Sequence, residues 1–363
     1  MTTRLCRPCD IPTDPDWGVD TVKVGFYVDL SQCDLYSTVW SFTGSRNLAD
    51  AGMEADRFTG WVPIDVDGEA VPVRIELFSA RGLCHLQFNA ARMVSADPRS
   101  LLPPSALQPL VAGIIDHLRD IIWPTFVQVT EDGEALWADD WADRVLFRRL
   151  DLARNFRVPE PSVVRAGIEC SASKYGKRRS IETSANGGWT VWNRTAQSGS
   201  DRFYDKAAEV RNKQSHQADA LRSCDGVFRF ETELRRDRLT RLGLGRLSDL
   251  DEVSAWKALA HRWDSTRWGS PLSSPGEVAQ AVRSLPVKQQ ASLIGYLHLR
   301  AAGMANGFTK NQIRTLNKKA QMCGLTPGMP VHLMGTPSKR LDLYSGTLVP
   351  VSEQESLAAS IPV

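Results

Sequence analysis

Hydrophobic and polar residues follow one pattern before about Leu239 and another after it. In the first part, short segments with apolar residues at alternate positions predict β-strands, because successive strand side chains point to opposite faces of a sheet. Helical spacing of apolar residues predicts a helix over Pro103–Ile122, which Pro124 ends, and a polar helix is predicted over Asp205–Arg222. The predicted strands cover residues 22–30, 61–65, 71–77, 83–93, 145–153, 180–185, 188–194, 203–204 and 227–234.

Helical patterns replace the strand pattern after Leu239. The last of them is followed by Gly324 and Pro327, which are common stop signals for a helix. The two parts together predict an α+β protein, with an antiparallel-sheet domain followed by a smaller all-helical domain that contains a helix-turn-helix-like segment. The predicted helices of the second part are Asp249–Trp263, Pro275–Ala302 and Thr309–Cys323.

The length of 363 residues corresponds to about two domains. A hydrophobic content of 42% and a charged content of 24% provide a core and exclude intrinsic disorder for most of the chain. We expect an acidic N-terminal segment that packs on or precedes the sheet, a sheet domain, a helical DNA-binding or accessory domain, and a loose tail. Their expected bounds are 1–70, 71–248, 249–337 and 338–363.

The sequence contains no signal for a membrane or for secretion. Its longest apolar stretches, such as Leu110–Ile115, are far shorter than the ~20 residues that span a bilayer. The N-terminus lacks the apolar region of a secretory signal, and seven scattered cysteines favour reduced thiols over a disulfide framework. These features predict a cytoplasmic protein with no membrane partner.

The formal net charge of +2 is a sum of segments with opposite charge. Residues 1–70 contain 12 acidic and 5 basic residues (net −7), residues 271–350 contain 9 basic and 2 acidic residues (net +7), and residues 171–194 contain 5 basic residues and 1 acidic residue (net +4). Clustered Lys and Arg are typical of proteins that bind a polyanion, because each neutralised phosphate releases counterions. A solvated basic face is the alternative. The basic residues of the middle segment are Lys174, Lys177, Arg178, Arg179 and Arg194.

The predicted strand at residues 83–93 carries a histidine and an amide two positions apart, His85 and Gln87. Residues i and i+2 of a strand share a face, so the two side chains lie together while Leu86 points to the core. An imidazole and an amide oxygen in this arrangement can hold a divalent ion. A buried, hydrogen-bonded histidine is the alternative.

Two other predicted strands place a carboxylate among apolar residues, Asp151 in one and Glu231 in the other. A bare carboxylate is costly to bury unless it is paired or bound to a metal. Each is therefore a candidate metal ligand or a member of a salt bridge, for Asp151 with Arg149 or Arg154.

Tyr204 and Lys206 lie at a predicted strand-to-helix junction. A tyrosine hydroxyl, with a pKa near ~10, is a poor nucleophile at neutral pH, but near a cation and a metal-held phosphate it can attack phosphorus. Lys206 can lower that pKa or neutralise the leaving oxygen, because its ammonium is a mobile point charge. Packing of the tyrosine ring is the alternative. No P-loop, GxSxG or HExxH motif occurs.

The last predicted helix begins within the segment Asn306–Arg314, with Thr309 as a suitable N-cap. A helix and a glycine turn precede it, as in helix-turn-helix domains, where residues near the start of the second helix read base edges. A packing helix with a basic solvent face is the alternative. The predicted DNA contacts of this helix are Lys310, Gln312, Arg314, Lys318 and Lys319.

The order of several short motifs along the chain is more specific than any one of them. They are Arg148-Arg149-Leu150-Asp151, Thr190-Val191-Trp192-Asn193, Tyr204-Asp205-Lys206, Gly226-Val227-Phe228-Arg229-Phe230-Glu231 and Leu242-Gly243-Leu244. In this order they resemble the gene II replication initiator family of filamentous phages, which are HUH-like tyrosine endonucleases. The resemblance extends from about Pro72 to Gly328 and is strongest over Thr190–Leu244, and residues 1–70 match only loosely.

The resemblance implies an HUH-like endonuclease domain and an enzyme that nicks the plus-strand origin of a circular double-stranded phage genome. The implied nucleophile is Tyr204, aided by Lys206. Attack by this tyrosine would form a 5′-phosphotyrosyl intermediate and free a 3′-hydroxyl for polymerase, and the enzyme would later rejoin the displaced strand. Gln87 departs from the family pattern because it replaces the second histidine of the usual metal pair. The implied ligands of the divalent ion, Mg²⁺ or Mn²⁺, are His85, Gln87, Asp151 and Glu231.

The partners implied by the resemblance are origin DNA, as supercoiled duplex and as displaced single strand, a host helicase and polymerase, and further copies of this chain at the origin. The tract 174–179 would then contact the DNA backbone near the scissile step. No ATP site is required, because the phosphotyrosyl linkage keeps the energy of the phosphodiester. Two other interpretations stay open: a non-catalytic DNA-binding regulator of replication or transcription, and a plasmid rolling-circle initiator or relaxase-like protein.

Overall fold

The computed structural model of the protein has a mixed α/β fold in which the sheet is mostly antiparallel. It describes residues 16–34, 40–42, 57–66, 69–130, 135–158, 164, 181–183, 189–192, 196–213, 222–266, 280–301, 307–323, 339–341, 343 and 348–350.

The chain divides into two compact units, and each combines segments that are distant in the sequence. The predicted domain boundaries after residues 70, 248 and 337 stay predictions. The first unit consists of Met1–Ala153, Gln197–Gly199 and Thr232–Leu259, and the second unit consists of Arg154–Ala196, Ser200–Glu231 and Ala260–Val363.

The strands are β1 (Trp17–Tyr27), β2 (Trp40–Phe42), β3 (Phe58–Val66), β4 (Glu69–Phe78), β5 (Leu83–Asn89), β6 (Val127–Val129), β7 (Ala135–Trp137), β8 (Leu146–Arg157), β9 (Ile181–Thr183), β10 (Trp189–Trp192), β11 (Asp201–Asp205), β12 (Val227–Arg235), β13 (Lys339–Leu341) and β14 (Leu348–Pro350). The α-helices are α1 (Leu107–His117), α2 (Trp141–Arg144), α3 (Lys206–Lys213), α4 (Arg236–Arg241), α5 (Glu252–Thr266), α6 (Val287–Ala301) and α7 (Lys310–Met322).

In the first unit the strands follow the order β2-β3-β4-β5-β1, and the first part of β8 and the end of β12 come next. The pairs β2–β3, β3–β4, β4–β5 and β5–β1 are antiparallel. Alternation along β5 buries Cys84, Leu86 and Phe88, so that the residues between them lie on the opposite face. Helix α1 contributes four apolar side chains at helical spacing to the core, namely Leu107, Val111, Ile114 and Ile115.

In the second unit the end of β8 and the beginning of β12 are followed by β11, β10 and β9. The pairs β11–β10 and β10–β9 are antiparallel. Phe203 of β11 belongs to a buried aromatic cluster, with its ring centroid 5.7 Å from that of Phe228 and 5.8 Å from that of Phe156. Trp263 of α5 packs on the cluster with its centroid 5.1 Å from those of Phe156 and Phe230. This packing fixes the orientation of β11 and therefore the side on which its alternate residues lie.

A buried ion pair also connects helix α5 to strand β11. Arg262, next to Trp263 on α5, donates from Nε to Oδ1 of Asp201 at 3.0 Å and from its Nη2 to the other carboxylate oxygen. Both side chains are buried, and Asp201 begins β11. Because a buried charge needs a hydrogen-bonded partner, this pair stabilises one position of α5 against the strand.

Helices α6 and α7 share a small hydrophobic core of their own in the second unit. Tyr296 is fully buried there, donates its hydroxyl hydrogen to Asn317 at 2.6 Å and packs edge-on against Phe308. A separate all-helical domain stays a prediction, as does the HUH-like topology of the sheet. The buried members of this core are Val282, Leu293, Tyr296, Leu297, Ala320 and Cys323.

The predicted fold class is confirmed at the level of a mixed fold with a mostly antiparallel sheet, and the differences lie in the element bounds. Strand β8 continues to Arg157, beyond the predicted end at residue 153, because Asn155 is buried and accepts a hydrogen bond from Arg229 at 2.8 Å. Helix α3 is observed over Lys206–Lys213, and the predicted continuation after it falls on residues 214–221, outside the described ones.

No helix in the described part of the chain is both long enough and apolar enough to cross a membrane.

A pair of glycine substitutions tests the approach of the segment before β11 to β12. Gly199 has a φ of +117°, and a Cβ there would lie 1.9 Å from the carbonyl oxygen of Glu233. Gly243 also has a positive φ, +70°, but no described atom lies within 4 Å of the corresponding position. We expect Gly243→Ala to lower the free energy of unfolding by about 1–2 kcal/mol and Gly199→Ala to lower it by roughly 1–3 kcal/mol more, measured by urea denaturation. Equal losses would contradict this close approach.

Candidate active site

The residue expected to be the nucleophile lies where the sequence pattern places it, next to the end of β11. Because Phe203 points into the aromatic cluster, Tyr204 lies on the opposite face of the strand. Asp205 then accepts a hydrogen bond at Oδ1 from the backbone N–H of Ala208, at 3.1 Å, in the first turn of α3. This N-cap fixes the strand-to-helix junction one residue after the tyrosine.

The hydroxyl of Tyr204 donates a hydrogen bond to Oε2 of Glu231 on the neighbouring strand β12, at 3.1 Å. The other carboxylate oxygen, Oε1, forms an ion pair with Nη2 of Arg202 at 2.8 Å. Tyr204 is 7% exposed and Glu231 is 4% exposed, so this contact is largely shielded from water. A carboxylate in this position can accept the phenolic proton, and the arginine keeps it oriented toward the hydroxyl.

Lys206 is buried beside the tyrosine but does not bind its hydroxyl in this structure. Its Nζ lies 5.6 Å from the centroid of the Tyr204 ring and forms an ion pair with Oε2 of Glu209 at 2.6 Å. The ammonium therefore contributes a positive charge near the ring, and the carboxylate of Glu209 balances part of it.

Asp151 is fully buried on β8 and forms a bidentate ion pair with Arg149. The Nε–Oδ1 distance is 2.8 Å, and Nη2 of the same arginine lies 4.0 Å from Oε2 of Glu233. The salt bridge with Arg149, one of the interpretations that the sequence leaves open for Asp151, is present, and a role as a metal ligand stays a prediction.

His85 and Gln87 lie on the same face of β5, as the strand period predicts, and Leu86 is buried on the other face. Gly25 is the cross-strand partner of His85 on β1, and a Cβ there would lie 2.7 Å from the imidazole Cδ2. Neither ring nitrogen of His85 has a hydrogen-bond partner among the described residues. The alternative of a buried, hydrogen-bonded histidine stays open, because Oε2 of Glu76 lies 3.6 Å from Nδ1.

Positive charges surround His85. Burial, together with the charges of Lys23 and Arg148, lowers the pKa of His85 to about 4, although Glu76, with Oε2 3.6 Å from Nδ1, acts in the opposite direction. Burial alone would raise the pKa of Glu76, but hydrogen bonds and charges from Lys23 and Arg57 hold it at about 2. At neutral pH the carboxylate is thus charged and the imidazole neutral.

Two of the four expected metal ligands are paired with arginines in the described structure. Both carboxylates, Asp151 and Glu231, are engaged by arginines, and the cations beside His85 disfavour a second positive charge there. No group of three or more His, Cys, Asp or Glu among the described residues is arranged to hold a metal ion. A requirement for Mg²⁺ or Mn²⁺ stays a prediction.

Helix α7 begins as expected, with a reciprocal cap. Thr309 accepts a hydrogen bond at its hydroxyl from the backbone N–H of Gln312 at 3.2 Å, and the Gln312 side-chain oxygen accepts one from the backbone N–H of Thr309 at 2.8 Å. The amide of Gln312 is thereby partly engaged in the cap. Among the expected DNA contacts of this helix, Lys310, Gln312, Arg314 and Lys318 are exposed and Lys319 is half-buried.

The basic tract of the middle segment was expected to contact the DNA backbone near the scissile step. Its residues, Lys174, Lys177, Arg178, Arg179 and Arg194, lie outside the residues that the structure describes. Their contact with DNA stays a prediction.

Two residues of these sites, Arg202 and Glu76, are not among the site residues expected from the sequence. Arg202 lies two positions before Tyr204 on the same strand, and residues two apart on a strand share a face. The strand period could therefore have placed Arg202 beside the tyrosine. Glu76 gave no such signal, because its partners Lys23 and Arg57 come from other strands or their ends and are distant in the sequence.

A comparison with known protein families finds a match over less than half of the chain. Residues 108–259 match the family described as the N-terminal part of the replication-associated protein encoded by phage gene II. The match includes Asp151, Tyr204 and Glu231 but neither His85 nor helix α7, and it confirms the resemblance to the gene II replication initiators over that range. No curated protein matches the chain.

The charges around His85 predict a pH-dependent stability. The pKa of His85 in the folded protein, about 4, is below its ordinary value of 6.5, so the unfolded chain binds more protons between these values. We expect the free energy of unfolding to fall as the pH is lowered from about 6.5 to about 4, and His85→Gln to reduce this fall. Chemical denaturation at several pH values measures it, with His117→Gln, at an exposed position of α1, as the control. If the free energy of unfolding depended on pH in the same way in the wild type and in His85→Gln, the lowered pKa of His85 would be contradicted.

Proposed function

We propose that this chain, which matches a phage replication-associated family over residues 108–259, nicks one strand of a circular phage genome at its origin and later rejoins it. The observation that carries the proposal is the buried hydrogen bond from the Tyr204 hydroxyl to a carboxylate held by an arginine. A tyrosine that only packs needs no carboxylate acceptor of this kind, whereas a nucleophilic tyrosine needs an acceptor for its proton.

In the proposed step Glu231 takes the phenolic proton while the tyrosyl oxygen of Tyr204 forms a bond to phosphorus. The bond from phosphorus to the 3′ oxygen breaks, and that oxygen takes a proton from solvent to become the free 3′-hydroxyl. The product is a 5′-phosphotyrosyl linkage on Tyr204. Rejoining is the same reaction in reverse, with the 3′-hydroxyl as the nucleophile and Glu231 returning the proton to the phenolate.

The neighbouring charges suit this reaction at different stages. Arg202 keeps the carboxylate of Glu231 oriented before the reaction, since its removal would leave a buried carboxylate without this cation. Lys206 is close enough to the ring to favour the phenolate electrostatically. A backbone phosphate that approached the tyrosine would compete with Glu209 for the ammonium of Lys206.

A non-catalytic DNA-binding regulator is the second candidate function. One observation favours it: Tyr204 is 7% exposed, so a phosphodiester reaches its hydroxyl only if neighbouring groups move. A regulator of this kind would bind origin DNA and leave it intact. Incubation of supercoiled origin DNA with the wild-type protein and Mg²⁺ or Mn²⁺ separates the two functions, since the regulator yields neither nicked circles nor a protein–DNA adduct.

Tyr204→Phe tests the nucleophile. The substitution removes only the hydroxyl, so the ring can still pack, and we expect nicking of supercoiled origin DNA and the covalent adduct to be lost together. Gel electrophoresis of the DNA, with and without protease treatment, measures both. Tyr296→Phe, which removes the hydroxyl of another buried and hydrogen-bonded tyrosine, is the control and should nick as the wild type does. Nicking by Tyr204→Phe at the wild-type rate would end the proposal.

Glu231→Gln tests the proton acceptor. Loss of a positioned general base typically lowers a rate by about 10²–10⁴-fold, and we expect single-turnover nicking near pH 7 to fall by an amount in this range. The deficit in the nicking rate should narrow as the pH is raised toward ~10, the ordinary pKa of a tyrosine side chain, because a phenolate needs no proton acceptor. Glu233→Gln is a matched control, because that residue lies on the same strand, is also buried and pairs with arginines. A deficit that is the same at every pH would assign Glu231 a structural role only.

A further inference from the structure

One face of the sheet in the first unit carries a row of large polar and aromatic side chains. The strand register places Trp61 opposite Arg74, Arg74 opposite Gln87, and Gln87 opposite Lys23, so the row crosses β3, β4, β5 and β1. Residues at paired positions of neighbouring strands point to the same face. The opposite face of these strands is apolar and buried, so this is the face away from the core.

Positive charge on this face exceeds negative charge. Glu76 is contacted by Lys23 at 2.5 Å, by Arg57 at 2.6 Å and by Arg74 at 2.9 Å, so three cations share one carboxylate. Arg148 adds a fourth cation, and its Nε has no hydrogen-bond partner among the described residues. Glu76 orders these side chains, and with Asp65, which lies on the same face four residues after Trp61, it neutralises only part of the charge of the four cations, so the face attracts anions.

Two aromatic rings on the same face are exposed, although aromatic side chains of this size are usually covered. Trp61 is 56% exposed and Tyr27 is 60% exposed. The guanidinium of Arg74 lies 5.8 Å from the centroid of the Trp61 ring, and that same guanidinium is anchored on Glu76. The ring of Trp61 is thus held in place from one side by a cation.

We propose that this face, the sheet platform (Lys23, Tyr27, Arg57, Trp61 and Arg74), binds single-stranded DNA. Exposed rings beside ordered cations suit bases that stack and phosphates that pair with Lys and Arg. In a duplex the faces of the bases are covered by neighbouring bases, so the ring of Trp61 has no base face to stack on. The platform therefore favours unpaired strands. The identity of the strand as the one displaced after nicking rests on the proposed function, whereas the binding itself does not.

The platform is distinct from the basic tract and from helix α7, to which DNA contacts are assigned from the sequence. It lies within segments of the first unit that carry an acidic average, with net −7 over residues 1–70. The sequence average hides it because Lys23, Arg57 and Arg74 are far apart along the chain and are brought together by the register of antiparallel strands.

Binding to a fluorescent oligothymidylate, measured by anisotropy with the full chain, tests the platform. The Tyr204→Phe background prevents cleavage, so a failure of the nicking chemistry leaves this measurement unaffected. We expect Trp61→Leu to weaken binding by roughly tenfold, because stacking on one base is lost, and Trp61→Phe to retain most of it. Affinity falls as the salt concentration rises, and Arg57→Gln should make the slope of log affinity against log salt less steep by about 0.7, the value for one phosphate contact on a single strand.

Two control variants carry the same kinds of change outside the platform. Leu136→Ala removes another exposed apolar side chain and Arg144→Gln another exposed arginine, and both should bind as the parent does. Binding of a duplex of the same length should be insensitive to Trp61→Leu. Unchanged oligothymidylate affinity in Trp61→Leu, or an equal loss for single strands and duplex, would overturn the proposal. If the platform variants bound oligothymidylate as expected but the wild-type protein did not nick origin DNA, only the proposed nicking function would be contradicted.

Discussion

The proposed chemistry depends on one buried contact, the carboxylate of Glu231 held between the guanidinium of Arg202 and the hydroxyl of Tyr204. Its geometry follows from the packing of β11. Phe203 is fixed in an aromatic cluster with Trp263, so the period of the strand turns the next residue, Tyr204, to the face where β12 presents Glu231. The apolar core on one face of the strand thereby positions the polar chemistry on the other.

A buried carboxylate with an arginine partner recurs in both units. Asp151 binds Arg149, and Asp201 binds Arg262, as Glu231 binds Arg202. Such pairs are costly to break, because removal of either partner leaves an uncompensated buried charge. The same arrangement explains why acids on apolar strands resemble metal ligands in the sequence. A buried carboxylate requires a cation, and the strand period alone does not say whether that cation is a metal ion or a guanidinium.

The sequence predicted what depends on local periods and failed where partners come from distant strands. The face shared by His85 and Gln87 and the N-cap at Thr309 are local features, and both are confirmed. The extension of β8 through Asn155 was missed, because a polar residue in a strand resembles its end unless its partner, here Arg229, is known. Cross-strand neighbours such as Glu76 are set by register, which a single sequence does not specify.

The most direct test of the central claim is to locate the covalent link. Wild-type protein is incubated with supercoiled origin DNA, the adduct is digested with trypsin and nuclease, and the modified peptide is identified by mass spectrometry. We expect a phosphonucleotide on Tyr204, in the tryptic peptide Phe203–Lys206. A nucleotide on another tyrosine, or efficient nicking without any tyrosine adduct, would contradict the proposed role of Tyr204.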